Sequence, residues 1–325
     1  MDLMEEDYVS CGVENCSKPD FWRNCSNQDC QEEETMAEFI VFVIFGLLGN
    51  TLTLLVVWLH PNMRSTAHLY LSSMAVSDLL ILLLLALDLL MVWTDLDIGV
   101  FACKLIIFLS ECCIFCTILH ITFLSLERYL VVCRPITSKM LVTHRRTWAL
   151  IGCLWLGAAL SVAPFSVMME VDHKGQEDAM EICILSPSPL SSGLGLAILI
   201  IYNLYVLVPL CILGLVYILI GRTLRLRPQR SSKDNSHRHA VKMLGVIFLA
   251  FVLCWLPYIV ALTMNYGSLT AGSNSTHNYI LTDTFLYFFV FAWILSRLSA
   301  AINPLVYNLM SARMIIGVAM LLLYS

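Results

Sequence analysis

The stretch VFACKLIIFLSECCIFCTILHITFLSLERYLVVC, residues 100–133, is almost entirely apolar along its whole length. A bilayer core is about 30 Å thick, and a helix that rises about 1.5 Å per residue crosses it with roughly 20 apolar residues. The stretch does not alternate between polar and apolar residues as a strand of a membrane β-barrel does. It therefore predicts a transmembrane helix.

Comparable runs lie on both sides of this stretch and give seven predicted spans, numbered here in chain order, with residues 100–133 as span three. The composition agrees, because 59% of the 325 residues are hydrophobic and 13% are charged, whereas soluble domains contain about 25% charged residues. We expect an all-α membrane protein, a seven-transmembrane-helix bundle, rather than a globular enzyme. The other spans are predicted at about 36–60, 67–93, 146–169, 195–224, 238–265 and 280–310.

Lysine and arginine are concentrated in two connections between spans, and cytoplasmic loops of membrane proteins are enriched in these residues. The segment before span one and the connection 170–194 are instead acidic. We therefore expect the N-terminus outside, and its acidic first residues do not resemble a cleavable signal peptide. The basic residues are Arg134, Lys139, Arg145 and Arg146 between spans three and four, and Arg222, Arg225, Arg227, Arg230, Lys233, Arg238 and Lys242 between spans five and six.

Glycosylation sequons agree with this orientation, because Asn15, Asn24 and Asn274 all fall on the expected outside. We predict a disulfide between Cys103, at the start of span three, and Cys183, in the outer connection after span four. The outer segment holds four further cysteines that an oxidising compartment would pair in one of three ways. They are Cys11, Cys16, Cys25 and Cys30.

Few ionisable side chains lie inside the spans, where such groups are costly and mark internal cavities or function. Asp88 and Glu111 lie toward the outer side, whereas Arg128 ends span three about 25 Å from Glu111 along the same helix. A charged outer pocket and a charged inner end suit a protein that carries a signal across the membrane. Asp78, Glu127 and Arg297 are further charged residues inside the spans.

Transporters and channels also bury charged residues. A transporter predicts repeated halves with broken helices, and a channel predicts rings of like charge or glycine around a pore. Neither pattern is seen, so a transporter is kept only as a distant alternative. His120 is interpreted as a hydrogen-bonded interior histidine, because no second metal ligand is spaced with it. No metal site and no catalytic site are predicted.

Motifs in all seven spans resemble those of the rhodopsin-type (class A) G-protein-coupled receptors, over about residues 40–311. They occur in chain order and each in the corresponding span, which makes the set far more specific than any single motif. The motifs are Gly49-Asn50, Asp78, Glu127-Arg128-Tyr129, Trp155, Pro209, Tyr217, Cys254-Trp255-Leu256-Pro257 and Asn303-Pro304-Leu305-Val306-Tyr307.

Further stretches are similar to the ghrelin and motilin receptor group, and two of them look nearer to the motilin receptor. The resemblance implies a multi-pass plasma-membrane receptor for a gut peptide, coupled mainly to Gq-family proteins and raising inositol phosphates and calcium. The stretches are Ser73-Met74-Ala75-Val76-Ser77-Asp78-Leu79-Leu80, Leu219-Ile220-Gly221-Arg222 and Leu298-Ser299-Ala300-Ala301-Ile302-Asn303-Pro304, with Leu119-His120-Ile121-Thr122 and Leu141-Val142-Thr143 nearer to the motilin receptor.

The resemblance also implies roles for residues in the inner half. Glu127 is expected to pair with Arg128 until a G protein arrives. Pro257 is expected to kink span six, because proline removes a backbone donor, so that rotation near Trp255 swings the inner end outward. A polar cluster is expected to hold a sodium ion, the one cofactor implied. The cluster comprises Asp78, Thr117, Ser299 and Asn303, and the other switch residues are Tyr129, Pro209, Ile118, Phe251, Tyr217 and Tyr307.

The outer pocket departs from the related receptors. They carry an arginine at the position of Leu262, whereas this chain has Arg297 in span seven, where they typically carry tyrosine. Because an unpaired buried charge is costly, we hypothesise that Arg297 neutralises Asp88 or Glu111. A peptide would then place its amino terminus or a basic side chain against Glu111 or Asp88. Tyr258 completes the expected ligand-binding residues.

Two other ligand classes fit less well. An opsin needs a lysine in span seven for its retinal Schiff base, and Arg297 stands at that place. Amine receptors carry an aspartate at the position of Ser110. A peptide is therefore favoured.

Three segments are expected: an acidic, cysteine-containing outer segment (1–35), the receptor domain (36–311) and a short C-terminal segment (312–325). The last departs from the related receptors, which continue with a basic amphipathic helix and a tail rich in serine and threonine. This departure leaves an alternative open, an orphan or coupling-impaired (decoy) receptor for another peptide.

Overall fold

The computed structural model describes residues 29–59, 65–94, 99–167, 169–172, 182–185, 193–226, 232–270 and 278–310. These residues form seven long helices, one short helix and a two-stranded antiparallel sheet. The helices are α1 (Asp29–Leu59), α2 (Thr66–Thr94), α3 (Gly99–Cys133), α4 (Pro135–Leu141), α5 (His144–Val167), α6 (Leu194–Leu226), α7 (Ser232–Thr270) and α8 (Asn278–Met310). The strands are β1 (Met169–Asp172) and β2 (Ile182–Leu185), in a register that pairs Val171 with Cys183.

The seven predicted spans correspond to α1, α2, α3, α5, α6, α7 and α8, and the predicted seven-helix bundle is confirmed. Within the described residues, all of these except α8 contain a stretch long and apolar enough to cross a membrane. Helices α1 and α7 begin one to two turns before their predicted spans. Polar residues can continue a helix beyond the hydrocarbon, where hydropathy no longer marks it.

Helix α3 lies at the centre of the bundle and packs against α2, α5 and α6. Its side chains are buried at intervals from Cys103 to Val132. The bundle is closed by contacts of α1 with α2 and α8, of α6 with α7, and of α7 with α8. Residues placed on α3 therefore face several other helices at once, which is why the polar groups described below collect around it.

Glycine allows α1 to approach α8 closely. A Cβ atom at Gly46 would lie 2.7 Å from the Cβ atom of Ala301, and one at Gly49 would lie 3.0 Å from Pro304 Cγ. Asn50 stabilises the same contact. Its Nδ2 donates to the carbonyl oxygen of Gly46 on its own helix and to that of Ala300 on α8, both at 3.0 Å. Small residues and interhelical hydrogen bonds of this kind are what hold membrane helices together.

The outer surface of the bundle is apolar. Trp58 is 71% exposed, Leu160 66% and Leu48 65%. Inside the bundle, buried hydroxyls donate hydrogen bonds to backbone carbonyl oxygens of their own helix. Thr122 Oγ1, for example, donates to the carbonyl oxygen of Ile118 at 2.8 Å. An apolar exterior with internally satisfied polar groups is the arrangement that a lipid environment requires.

Candidate functional site

A buried ion pair joins α3 to α8 in the half of the bundle that is predicted to face outside. Nη2 of Arg297 binds Oε1 of Glu111, and Nη1 donates to the hydroxyl of Ser110. The two charged residues are 6% and 4% exposed. Of the two partners hypothesised for Arg297, Glu111 is therefore the one it contacts. The guanidinium also lies 5.2 Å from the ring centroid of Trp293, one turn earlier on α8.

Two residues that the sequence did not single out complete this cluster. The hydroxyl of Tyr202, on α6, donates to Oε2 of Glu111 at 2.7 Å. Ser110, which stands where amine receptors carry an aspartate, accepts a hydrogen bond from Arg297 through its hydroxyl. Tyr202 lies on the buried face of α6, but its sequence position does not reveal that a carboxylate from α3 stands opposite. Glu111 thus has a partner on each of its oxygens.

Two of the other predicted pocket residues lie near this pair. Asp88, on α2, is partly exposed and lies within electrostatic range of both Arg297 and Glu111. Tyr258, on α7, is buried and lies within electrostatic range of the same two residues. Leu262, one turn later on α7, packs against the core. Four of the predicted ligand-binding residues, Asp88, Glu111, Tyr258 and Arg297, therefore converge from α2, α3, α7 and α8.

A second polar cluster surrounds Asp78, which is fully buried. Thr117 donates to its Oδ1 at 3.1 Å, and Nδ2 of Asn303 donates to its Oδ2 at 3.0 Å. Ser299, the fourth predicted member, donates instead to the carbonyl oxygen of Ser296 at 2.6 Å. Thr117 also shares a 2.7 Å hydrogen bond with Ser77. The cluster thus joins α2, α3 and α8.

A small cavity adjoins this cluster and has room for about one water molecule. Thr117, Ser299 and Asn303 line its polar side, and Phe251 and Trp255 line its apolar side. The rings of Phe251 and Trp255 stack at 6.1 Å on α7. The predicted switch residues Ile118 and Pro209 are also buried, and Pro257 lies inside α7.

The inner end of α3 is arranged differently from the prediction. Glu127 accepts a 2.6 Å hydrogen bond from the hydroxyl of Thr66 on α2. In the described part of the chain it makes no ion pair with Arg128 within 4 Å, so the expected Glu127–Arg128 pairing is not seen in this arrangement. The carboxylate is satisfied instead by the neighbouring helix, although it acts electrostatically on Arg128.

The remaining switch residues flank this inner end. Tyr129 packs against the core. Tyr217 is 40% exposed, and its ring lies close enough to Gly245 that a Cβ atom there would come within 3.0 Å of Cε2. The inner halves of α6 and α7 therefore touch at this point. The side chain of Tyr307 lies outside the described residues.

His120 is an interior residue, as interpreted from the sequence. It is fully buried, and its Nδ1 lies 2.6 Å from the carbonyl oxygen of Cys116. Its ring meets those of Tyr70 and Trp155 edge-on. Within the described residues, no group of three or more His, Cys, Asp or Glu side chains could hold a metal ion.

Cys103 is disulfide-bonded. Cys183 lies on β2, a strand that contacts α3. These positions agree with the predicted Cys103–Cys183 disulfide, which stays a prediction. The other predicted extracellular features lie outside the described residues, as does the segment 312–325. These features are Asn15, Asn24 and Asn274 with Cys11, Cys16 and Cys25, and the side chain of Cys30.

Comparison with known families decides the class. The family described as 7 transmembrane receptor (rhodopsin family) matches residues 49–307 of this chain. The chain belongs to that family. It is thus a G-protein-coupled receptor, a multi-pass protein of the plasma membrane and not an enzyme, as its receptor relatives are.

Individual relatives place the receptor in a narrower group. Growth hormone secretagogue receptor type 1 of Sus scrofa is 37% identical over 296 residues, which cover 88% of this chain and 80% of the relative. The Homo sapiens receptor of the same name is 36% identical with the same coverage. The motilin receptor of Homo sapiens is 35% identical over 323 residues, covering 84% and 76%. The resemblance to the ghrelin and motilin receptor group is confirmed, and the near-equal identities do not place the chain nearer to either.

Proposed function

We propose that this receptor binds a peptide hormone of the motilin or ghrelin type in its outer pocket and activates a Gq-family G protein, with phospholipase C and calcium as its output. The observation that carries the proposal is the buried pair of Glu111 and Arg297 beside the partly exposed Asp88. The names of its relatives support a peptide as the ligand.

The charges of the pocket favour a ligand with a positive end. Two carboxylates stand against one guanidinium, so the cluster carries one excess negative charge. Glu111 already has Arg297 and Tyr202 on its two oxygens, whereas Asp88 is the more accessible carboxylate. An isolated charge at this depth is costly unless paired. We therefore assign the amino terminus or a basic side chain of the peptide to Asp88 rather than to Glu111.

The opposite end of the bundle supports a G protein as the intracellular partner. We assign this end to the cytoplasm, because the basic connections lie there. Ile136 and Met140 of α4 are 81% and 71% exposed, beside the exposed Lys139 and Arg146. Arg146 Nη1 donates to the carbonyl oxygen of Met140 at 2.6 Å, which fixes α4 against α5. Exposed apolar side chains next to basic residues are typical of a surface that binds another protein.

A sodium ion fits the cluster around Asp78. Sodium favours oxygen ligands. Asp78 offers a carboxylate that Thr117 contacts, and Thr117 and Ser299, which both carry hydroxyls, line the adjoining cavity. Because the Ser299 hydroxyl gives its proton to a carbonyl, its lone pairs stay available to a cation. The ion would neutralise the buried carboxylate and link α2, α3 and α8.

A calcium assay tests the function. Cells expressing the receptor are challenged with motilin, ghrelin and a wider panel of gut peptides, with surface expression measured in parallel. The expected result is a calcium rise for one peptide that is absent in cells lacking Gq-family α subunits. A rise that persists in those cells would overturn the coupling but not the ligand. No response to any peptide in any coupling assay, despite normal surface expression, would overturn the proposal.

A further inference from the structure

Within the described residues, the hydroxyl of Tyr202 makes one hydrogen bond. It donates to Oε2 of Glu111 at 2.7 Å, and both residues are 4% exposed. The other oxygen of the same carboxylate faces Arg297. A hydrogen bond to a charged group is worth more than one between neutral groups, and it is electrostatically stronger where water is excluded. Tyr202 is therefore placed to set the orientation of the Glu111 carboxylate.

The ring of Tyr202 is held in place by its neighbours. Its centroid lies 4.9 Å from that of Phe115 and 5.8 Å from that of Phe165, both edge-on. Phe115 is itself stacked on Tyr205 at 4.0 Å. Aromatic rings packed in this way have little freedom to turn. The hydroxyl therefore stays aimed at Glu111 rather than sampling other partners.

We propose that Tyr202 is a positioning residue of the ligand pocket. By donating to Oε2 of Glu111, it orients the carboxylate so that Oε1 contacts Arg297. The same hydrogen bond connects α6 to the ion pair between α3 and α8. This rests on the proposed assignment of Glu111 and Arg297 to the ligand site. Tyr202 lies two turns before Pro209 on the same buried face of α6. A ligand that disturbs Glu111 thereby acts on the helix that carries Pro209 as well as on α8.

The chain supplies a matched control. Tyr205, one turn later on α6, also packs on Phe115, but its hydroxyl binds the Ser161 hydroxyl at 2.7 Å rather than Glu111. Tyr202→Phe and Tyr205→Phe each remove one phenolic hydroxyl from the same aromatic cluster. Only Tyr202→Phe removes a hydrogen bond to the Glu111–Arg297 ion pair.

The test is a double-mutant cycle on the purified full-length receptor, read by its thermal unfolding temperature. Glu111→Gln, Arg297→Gln and the double variant are made in the wild-type, Tyr202→Phe and Tyr205→Phe backgrounds. In each background, the effect of the double variant on the unfolding temperature minus the sum of the two single-variant effects measures the coupling between Glu111 and Arg297. We expect this non-additive part to fall by half or more in the Tyr202→Phe background and to stay unchanged in the Tyr205→Phe background. General destabilisation lowers all four members of a cycle alike and leaves that difference intact.

An equal non-additive part in all three backgrounds would overturn the proposal. If the single glutamine variants do not fold, Glu111→Asp and Arg297→Lys serve in the same cycle, because they keep both charges. The peptide response gives a second readout, in which Tyr202→Phe raises the half-maximal concentration about tenfold and Tyr205→Phe does not. A receptor that answers no peptide would refute the proposed function, whereas the unfolding cycle still decides the role of Tyr202.

Discussion

Arg297 is the residue on which the outer pocket depends, because its guanidinium serves both Glu111 and Ser110 while it is almost fully buried. Removing one partner of a buried ion pair leaves the other charge uncompensated and costs about 3–5 kcal/mol. We therefore expect Arg297→Ala to lower the thermal unfolding temperature and the surface expression strongly. Arg222→Ala, at an exposed arginine of α6, is the control and should stay within about 0.5 kcal/mol. Unchanged expression and signalling of Arg297→Ala would contradict the importance of the pair.

Asp78 gives a second prediction at the residue scale. An ion that binds only the folded receptor stabilises it by mass action, by about 1.4 kcal/mol at ten times its Kd. We expect the unfolding temperature to be higher in sodium chloride than in choline chloride at equal ionic strength. Asp78→Asn, which keeps the shape but removes the charge, should abolish that difference. A sodium effect of the same size in Asp78→Asn would place the ion elsewhere.

The sequence predicted part of the site. It showed that Arg297 needs a carboxylate partner, because a charge in an apolar span is costly. It did not distinguish Asp88 from Glu111, since that choice depends on the rotation of α2 and α3 about their axes. Tyr202 could not be predicted, because its partner lies 91 positions away in the chain. The Glu127–Arg128 pairing was implied by the resemblance to class A receptors, but the Thr66 hydroxyl of another helix donates to the carboxylate instead.

At the scale of elements, the contact between α1 and α8 makes a prediction about glycine. A Cβ atom at Gly46 would lie 2.7 Å from atoms of both Ala301 and Leu82. Overpacking of this kind typically costs about 1–3 kcal/mol, so Gly46→Ala should lower the unfolding temperature. Gly152→Ala, at a helical glycine with no atom within 4 Å of such a Cβ, should leave it equal or slightly raised, because alanine favours a helix. Equal effects of the two variants would argue against close packing of α1 on α8.

The long helices were predicted well because roughly 20 apolar residues in a row have few alternatives in a membrane. The short helix α4 and the strands β1 and β2 were missed. They lie in connections where no apolar run or helical period marks them. Their conformations depend on contacts with α3, which both strands and α4 touch, and such contacts cannot be seen in local sequence.

At the scale of the whole molecule, the orientation in the membrane can be tested by glycosylation. With the N-terminus outside, Asn15, Asn24 and Asn274 are exposed to the glycosylation machinery. We expect enzymatic deglycosylation to increase the electrophoretic mobility of receptor from cells, and Asn→Gln changes at all three positions to remove that shift. Modification of a sequon engineered between α3 and α5 instead would reverse the orientation.

A peptide bound at the outer pocket is expected to activate a G protein at the other end of the bundle. This coupling can be measured as nucleotide exchange on a purified Gq heterotrimer, with the purified receptor in lipid nanodiscs. We expect an activating peptide to accelerate exchange at least severalfold, and we expect Arg128→Ala, at the inner end of α3, to lose the acceleration while still binding the peptide. If no peptide accelerated exchange, on Gq or on any other heterotrimer, the receptor would not couple its outer pocket to a G protein.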